Sequence, residues 1–302
     1  MVSTGTSERL IGALNGTFGT HKGCRASHAK GLSVSGTFVP GGDVDRMDIP
    51  MLHGDPMPVS ARFSIGGGNP GVSDKSRSVR GMGLTIGGKD ENWSLALISA
   101  PVFFASSLEQ FVAFLEARRP VPELGGPDPE RVAAFNAVNP NTVPHQAYVK
   151  ETSPTRSYGT EVYHSCHAFF ATIAGAARAG RFRLEPATGR LSLSADEEAS
   201  FPDQFLGDEL ANRLTDGPVG WTLMLDLAHS DDPLDDPTAP WQGNGESLTL
   251  GTILISRIAD LAEERRVYDP LVLPNGIAPS ADPVLLARSE AYSLSYERRS
   301  IA

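Results

Sequence analysis

Apolar and polar residues begin to alternate soon after residue 29. Leu32-Ser33-Val34-Ser35-Gly36-Thr37-Phe38-Val39 and then Ala61-Arg62-Phe63-Ser64-Ile65 follow the period of two that sends successive side chains to opposite faces of a strand. Gly- and Pro-rich turns separate such runs as far as Phe104, which predicts a set of antiparallel strands. Before them, Ser7 followed by Leu10, Ile11 and Leu14 predicts a short capped helix that ends at Gly16 and Gly19. After them, Leu108, Phe111, Val112 and Leu115 keep helical spacing and predict an amphipathic helix over residues 108–118, stopped by Pro120 and Pro122.

From there to residue 154 the chain holds Pro127, Pro129, Pro140 and Pro144, and is expected to be a wrapping connection with one small helix near 131–138. Strand patterns return at 161–173, 181–185, 191–193 and 221–228, with helices expected over 196–214, a strand over 248–258 and a closing helix over 282–299. Strands on both sides of the Pro-rich stretch imply a single sheet system. No internal repeat interrupts this reading.

Composition narrows the function classes. With 302 residues, 40% hydrophobic and 21% charged, the chain can build a sizeable core and is not of disordered type. A formal net charge of −10 argues against nucleic acid as the partner, because neutralising phosphates needs an excess of Lys and Arg. Cys24 and Cys166 are too few for a disulfide framework and lack zinc-site spacing, so both are expected to be reduced. The opening Met1 to Glu8 has neither a basic start nor an apolar signal core. The most apolar stretch, residues 93–104, contains Ser94, Ser99 and Pro101 and falls short of the ~20 apolar residues of a membrane span. A soluble, cytoplasmic protein without membrane insertion is the expectation.

Several tempting motifs carry little. Gly66-Gly67-Gly68-Asn69-Pro70-Gly71 lacks the Gly-Lys-Ser/Thr ending of a phosphate loop and reads as a tight turn. No Gly-x-Ser-x-Gly elbow supplies a nucleophilic serine. His164 and His167, three residues apart in a strand, would face opposite ways, which disfavours a shared metal. The acidic run Asp231, Asp232, Asp235 and Asp236, broken by prolines, reads as a solvated loop, with a calcium site as the alternative.

Two arrangements are more specific. Arg25-Ala26-Ser27-His28-Ala29-Lys30-Gly31 puts a histidine three residues after an arginine at the mouth of the first strand. Arg288-Ser289-Glu290-Ala291-Tyr292 sets an arginine one helical turn before a tyrosine, close enough to meet. A cation beside a phenol favours its phenolate, which can bind iron.

These motifs, with Arg62-Phe63-Ser64, Asp74-x-x-Arg77-x-x-Arg80-Gly81, Asn92-Trp93-x-Leu95 and Pro101-Val102-Phe103-Phe104, resemble the haem catalase superfamily in order and spacing over nearly the whole chain. The tail from Tyr268-Asp269-Pro270 through Asn275-Gly276-Ile277 and Ser280-Ala281-Asp282-Pro283 to Tyr292 and Ser295 resembles the short catalase-related peroxidases in particular. The resemblance implies an α+β fold, a catalase-like antiparallel β-barrel with surrounding and C-terminal helices. It implies one haem domain over residues 1–302, with the barrel at 22–230 and the ligand-bearing helical segment at 279–300. It implies haem b as cofactor, Tyr292 as the iron ligand, Arg288 as the cation that keeps it a phenolate, and Arg25, Arg62 and Arg299 as holders of the propionates. It further implies His28 as the distal acid and base, Ser64 as the hydroxyl that orients it, and Phe104 as an aromatic residue over the distal face.

Two positions depart from the family pattern. Ser99 aligns with the usual distal asparagine, and Ser27 stands where typical catalases have an apolar residue and allene oxide synthases a hydroxyl. The expected activity is therefore a haem-dependent peroxidase that reduces hydrogen peroxide or organic hydroperoxides with small organic donors and has weak catalase activity at most. Ser27 motivates one alternative, rearrangement of a fatty-acid hydroperoxide in the manner of allene oxide synthases. Ser99 motivates another, a non-catalytic haem sensor. The expected partners are a small-molecule peroxide and an organic donor, and assembly as a homo-oligomer is left open.

Overall fold

The alternating runs become strands because each can bury one face, and the sheet they form closes on itself. The computed structural model describes residues 4–87, 91–242, 245–260 and 265–301, so the start of the N-terminal segment, Met1 to Ser3, lies outside the described residues. β1 (Gly31–Pro40), β2 (Met57–Ile65), β3 (Arg80–Gly87) and β4 (Asn92–Ile98) pair antiparallel in sequence order. A two-residue ribbon, β5 (Pro120–Val121) with β6 (Gly126–Pro127), stands apart from them. β7 (Tyr163–His164) continues from β4 and hands over to β9 (Ala176–Pro186), which also pairs with β8 (Phe169–Ile173). β10 (Val219–Leu227) joins β9 to β11 (Ser247–Ile258), and β11 returns to β1, completing an antiparallel barrel of 8 strands. β12 (Ile277–Pro279) extends the flap made by β8.

The barrel interior is filled by the inward faces of these strands. Phe63 lies 5.1 Å from Tyr158, 6.0 Å from Tyr163 and 5.6 Å from Trp221, centroid to centroid, and Trp93 meets Phe182 edge-on at 5.0 Å. All six are buried, and aromatic pairs in such offset or edge arrangements add about 0.5–1.5 kcal/mol each beyond area burial. A barrel packed with side chains leaves no room for a ligand inside it. The site has to lie outside the sheet.

Helices cover one flank. α1 (Thr4–Phe18) packs against α2 (Leu108–Ala117) and α8 (Arg288–Ile301). α2 starts where Ser107 accepts from the backbone N–H of Gln110 at 3.1 Å, and α3 (Pro129–Val138) where Asp128 accepts from that of Glu130 at 2.9 Å. α4 (Val143–Glu151) follows, then α5 (Ala195–Ser200) with a full Ser194/Glu197 capping box, α6 (Leu206–Thr215) and α7 (Pro283–Leu286). No residue of α8 is fully buried. Among the described residues no helix is long and apolar enough to cross a membrane.

Several boundaries differ from the sequence reading for local reasons. Residues 161–173 are two strands, because Cys166 takes a left-handed φ of 59° and the Ser165 hydroxyl turns back onto His167 O at 2.8 Å. Residues 191–193 form no strand, only a bridge between Thr155 and Ser192. α4 was read as connection, yet Pro144 stands at a helix start, where its missing N–H costs nothing. The closing helix is two helices meeting at Ala287, and β11 carries the barrel past residue 230 to Ile258.

Candidate functional site

A chamber of about 760 Å³ lies between the β2–β4 side of the barrel and the helices α1, α2, α4 and α8. Leu10, Ile11 and Leu14 of α1 and Phe111, Phe114 and Leu115 of α2 give it an apolar wall. Seven arginines and one lysine also line it, and among the described residues no Asp or Glu does. In a chain with net charge −10, that local excess of cations marks a place for an apolar molecule bearing negative charge.

His28 enters the chamber from the segment before β1 with φ 54°, a left-handed conformation that costs a side-chain-bearing residue about 1–3 kcal/mol unless its surroundings fix it. Arg62 supplies the fixing. From β2 its guanidinium donates to His28 O at 2.9 Å and to Ala29 O at 3.1 Å. The Gly66–Gly71 turn helps from behind: Ala29 N–H donates to Gly67 O at 3.1 Å, and a Cβ on Gly68 would meet Ala26 O at 2.6 Å. That turn therefore belongs to the scaffold of the site, a role its sequence did not disclose.

The ring is held as firmly as the backbone. His28 Nδ1 and Ser64 Oγ are 2.9 Å apart, and Ser64 Oγ lies 3.4 Å from Gly81 O. If the hydroxyl donates to Gly81 O, Nδ1–H donates to the hydroxyl and Nε2 keeps its lone pair. Gly81 on β3 is required by this stack, since a Cβ there would lie 2.7 Å from both Ser64 Oγ and His28 Nδ1. Gly81→Ala is expected to push the imidazole off the serine and slow peroxide consumption at least about tenfold, short of the full loss of an acid/base group; unchanged turnover in the folded variant would show that this register does not matter.

Burial, and then the positive charges of Arg62, Arg288 and Arg25, lower the His28 pKa from 6.5 to about 3. The folded protein thus binds fewer protons at His28 than the unfolded chain does, so this group's stabilisation is complete above about pH 6.5 and is lost as pH falls toward 3. Urea unfolding of the haem-free protein should show a shallower acid-side loss of stability for His28→Gln. Parallel profiles for the two proteins between pH 6.5 and 4 would contradict this sign.

On the helix side, Arg288 at the start of α8 donates to the Tyr292 hydroxyl oxygen through both Nε, at 3.2 Å, and a second guanidinium nitrogen. The phenol oxygen therefore faces a fixed cation one turn away, as the spacing predicted. Asp282 sets the register of this segment. Its Oδ1 accepts from the N–H groups of Val284 at 2.8 Å and Leu285 at 3.2 Å, while Oδ2 accepts from His167 Nδ1 at 2.6 Å, with both side chains buried. His167 had been weighed only as a metal ligand beside His164. The signal that could have found its partner is the Asp282-Pro283 helix start itself.

Arg25 and Arg299 also line the chamber and are steadied by one segment: Arg25 donates to Arg266 O at 3.0 Å and Arg299 to Arg265 O at 3.2 Å. Arg266 lines the chamber as well and was not foreseen. Phe104 stands in an aromatic cluster, 4.4 Å from Phe103, 5.0 Å from Phe111 and 4.6 Å from Phe114, with the buried His145 edge-on at 5.7 Å. Ser27 and Ser64 reach the chamber. Ser99 does not.

Ser99, expected beside the distal face, is buried with its hydroxyl accepting from Arg80 N–H at 3.0 Å, and it borders a separate small recess with Tyr148 and Glu161. At the end of β4 the chamber is lined by Ala96, Leu97 and Ile98, so the part of this segment that reaches it is apolar.

The donor set fits haem. A phenol oxygen held by a guanidinium can bind ferric iron, the aromatic and aliphatic walls suit a flat macrocycle, and Arg25, Arg62 and Arg299 offer forked donors for two carboxylates, with no acidic side chain among the described lining residues to oppose them.

Comparison with known proteins agrees with this geometry. The catalase family model matches residues 23–300. The chain is 35% identical over 300 residues to a catalase-related peroxidase of Synechococcus elongatus, covering 97% of this chain and 88% of that one. It is 35% identical over 302 residues to a catalase-related peroxidase of Mycolicibacterium paratuberculosis, covering 97% and 95%. Catalase of Sus scrofa is 26% identical, and there the match takes 91% of this chain but only 56% of the longer protein. The structure of catalase A from Saccharomyces cerevisiae superposes with a TM-score of 0.81 at 20% identity, over 91% of this chain and 61% of that one. With the family model matched over residues 23–300 and two relatives 35% identical over nearly the whole chain, the chain belongs to the catalase family.

Proposed function

We propose that this chain is a single haem domain that binds haem b and acts as a peroxidase, reducing hydrogen peroxide and organic hydroperoxides with small organic donors, with weak dismutation of hydrogen peroxide. The observation that carries this is the pair of fixed side chains in one chamber: an imidazole whose Nδ1 is tied to Ser64, and a phenol whose oxygen is tied to Arg288. Tyr292 would hold the iron, and Arg25, Arg62 and Arg299 the propionates. Haem, when bound, supplies the metal that accepts a peroxide oxygen and the electron store that links peroxide reduction to donor oxidation.

The protein's part is proton handling and exclusion. His28 Nε2 takes the proton of the incoming hydroperoxide and returns it to the departing oxygen, so that water or an alcohol leaves rather than its anion. Because positive neighbours and burial keep the ring neutral, it is ready as a base throughout the neutral range. Two electrons and two protons from the donor complete the balance, converting ROOH to ROH and water. The apolar wall from α1 and α2 accommodates a bulky organic group.

Haem-loaded protein should oxidise an aromatic donor in the presence of an alkyl hydroperoxide, followed by the donor's absorbance. Absence of donor oxidation with haem fully loaded would overturn the assignment. Ser27, which lines the chamber beside His28, favours a second reading, donor-independent rearrangement of a fatty-acid hydroperoxide. Product analysis separates the two: reduction yields the alcohol and stops without donor.

A further inference from the structure

The chamber holds more positive charge than haem and its phenolate require, and the surplus sits on the α2–α4 wall. Arg118, which closes α2, lies with its guanidinium 3.6 Å over the Phe114 ring and donates to Phe114 O at 3.1 Å, Asn136 Oδ1 at 3.3 Å and Gln146 Oε1 at 2.6 Å. All three acceptors are neutral, and among the described residues no carboxylate pairs with it. Burial without a counter-charge draws its pKa down from 12.5 to about 10. Lys150 stands four residues after Gln146 on α4, on the same helix face, is exposed, and has no hydrogen bond or ion pair among the described residues. Both line the chamber that contains His28.

The other cations are accounted for differently: Arg288 holds the Tyr292 oxygen, and Arg266 stands on the segment that anchors Arg25, not on the α2–α4 wall. Arg77 is neutralised by Glu198, whose two oxygens lie 2.9 Å and 3.0 Å from one guanidinium nitrogen. Arg25 and Arg299 are anchored on residues 265–266, and Arg62 on residues 28–29, so they belong to other walls than Arg118. Val79, Phe114, Leu115 and Val149 line the same chamber and are apolar. An occupant that satisfies this part of the site has an apolar body and one negative end.

We propose that Arg118 and Lys150 form a carboxylate-recognition site that selects, as organic substrates, hydroperoxides or donors combining an apolar body with a single carboxylate. The proposal rests on the haem-peroxidase reading for what happens to the bound molecule, but not for its binding. Arg118 is held in place before the ligand arrives, so a carboxylate gains a charge-assisted hydrogen bond without ordering a flexible side chain. The acidic protein surface opposes anions only weakly beyond the ~8 Å screening distance at physiological salt, whereas the cations inside act at contact.

Calorimetric titration of the haem-loaded protein with dodecanoate and with dodecan-1-ol, which share the apolar body, tests the site. Dodecanoate should bind about tenfold or more tighter than the alcohol, and the preference should shrink by about tenfold to a hundredfold in an Arg118→Gln, Lys150→Gln double variant. Lys150→Gln alone alters an exposed side chain, and should reduce the preference in part even if replacing Arg118 prevents folding. Equal affinity for acid and alcohol in the native protein, or an unchanged preference in both variants, would overturn the proposal. So would loss of the Soret band from the Arg118 variant, which would make that residue a holder of the cofactor. In turnover, a fatty-acid hydroperoxide should exceed its methyl ester in kcat/KM by the same factor. If neither is consumed while the dodecanoate preference persists, it is the peroxidase reading that fails and the carboxylate site that stands.

Discussion

Replacing His28 with alanine should slow consumption of hydrogen peroxide by the haem-loaded protein by about a hundred- to ten-thousandfold, the usual worth of a positioned acid/base group. The expectation follows from how much of the local structure exists to aim that ring. The left-handed backbone at His28, the two Arg62 donations to residues 28 and 29, the Ser64 contact at 2.9 Å and the bare Gly81 behind it serve a single orientation. Alanine keeps the backbone carbonyls of residues 28 and 29 that Arg62 holds, so the change should leave haem binding intact. Stopped-flow mixing with peroxide, followed at the Soret band, measures the rate directly. Equal rates in the variant and the native protein would remove His28 from the chemistry.

Tyr292→Phe should abolish tight haem binding. Loss of a mere partner of a metal ligand typically costs about 10–100-fold in metal affinity, and loss of the ligand itself costs more. The substitution also leaves the Arg288 guanidinium without the oxygen it donates to from two nitrogens. Two separate penalties therefore fall on one removed atom. The check is hemin titration of the haem-free variant followed at the Soret band, with Arg288→Lys as companion, which keeps the charge but loses the fork and should weaken binding less. A Tyr292→Phe protein with native haem affinity and native spectrum would mean that iron is held elsewhere.

The strands and the Arg288–Tyr292 pair were legible because each rests on short-range order, whereas the roles of His28 and Tyr292 were implied only by the resemblance to catalases. A period of two marks β1 and β2, and a four-residue offset brings Arg288 to Tyr292 whatever the rest of the chain does. What could not be read depends on long-range placement. His167 and Asp282 are 115 residues apart in sequence, and although Asp282-Pro283 marks a helix start, nothing in it points to His167 as the partner at 2.6 Å. Arg62, proposed at the propionates, also holds the backbone of residues 28 and 29 with two of its donors, a task visible only once β1 and β2 are paired. Ser99 lies just past the end of β4, and its hydroxyl is taken up by the backbone N–H of Arg80, a pairing visible only once β3 and β4 are in register. α4 was hidden by a proline that starts a helix rather than ending one.

The final helix carries Tyr292, the proposed iron ligand, while sinking none of its own side chains completely. In the proposed reading its missing inner layer is the porphyrin, so loading and the seating of this arm are one event. The closed sheet keeps every strand pairing when that layer is filled, because the chamber lies between barrel and helices.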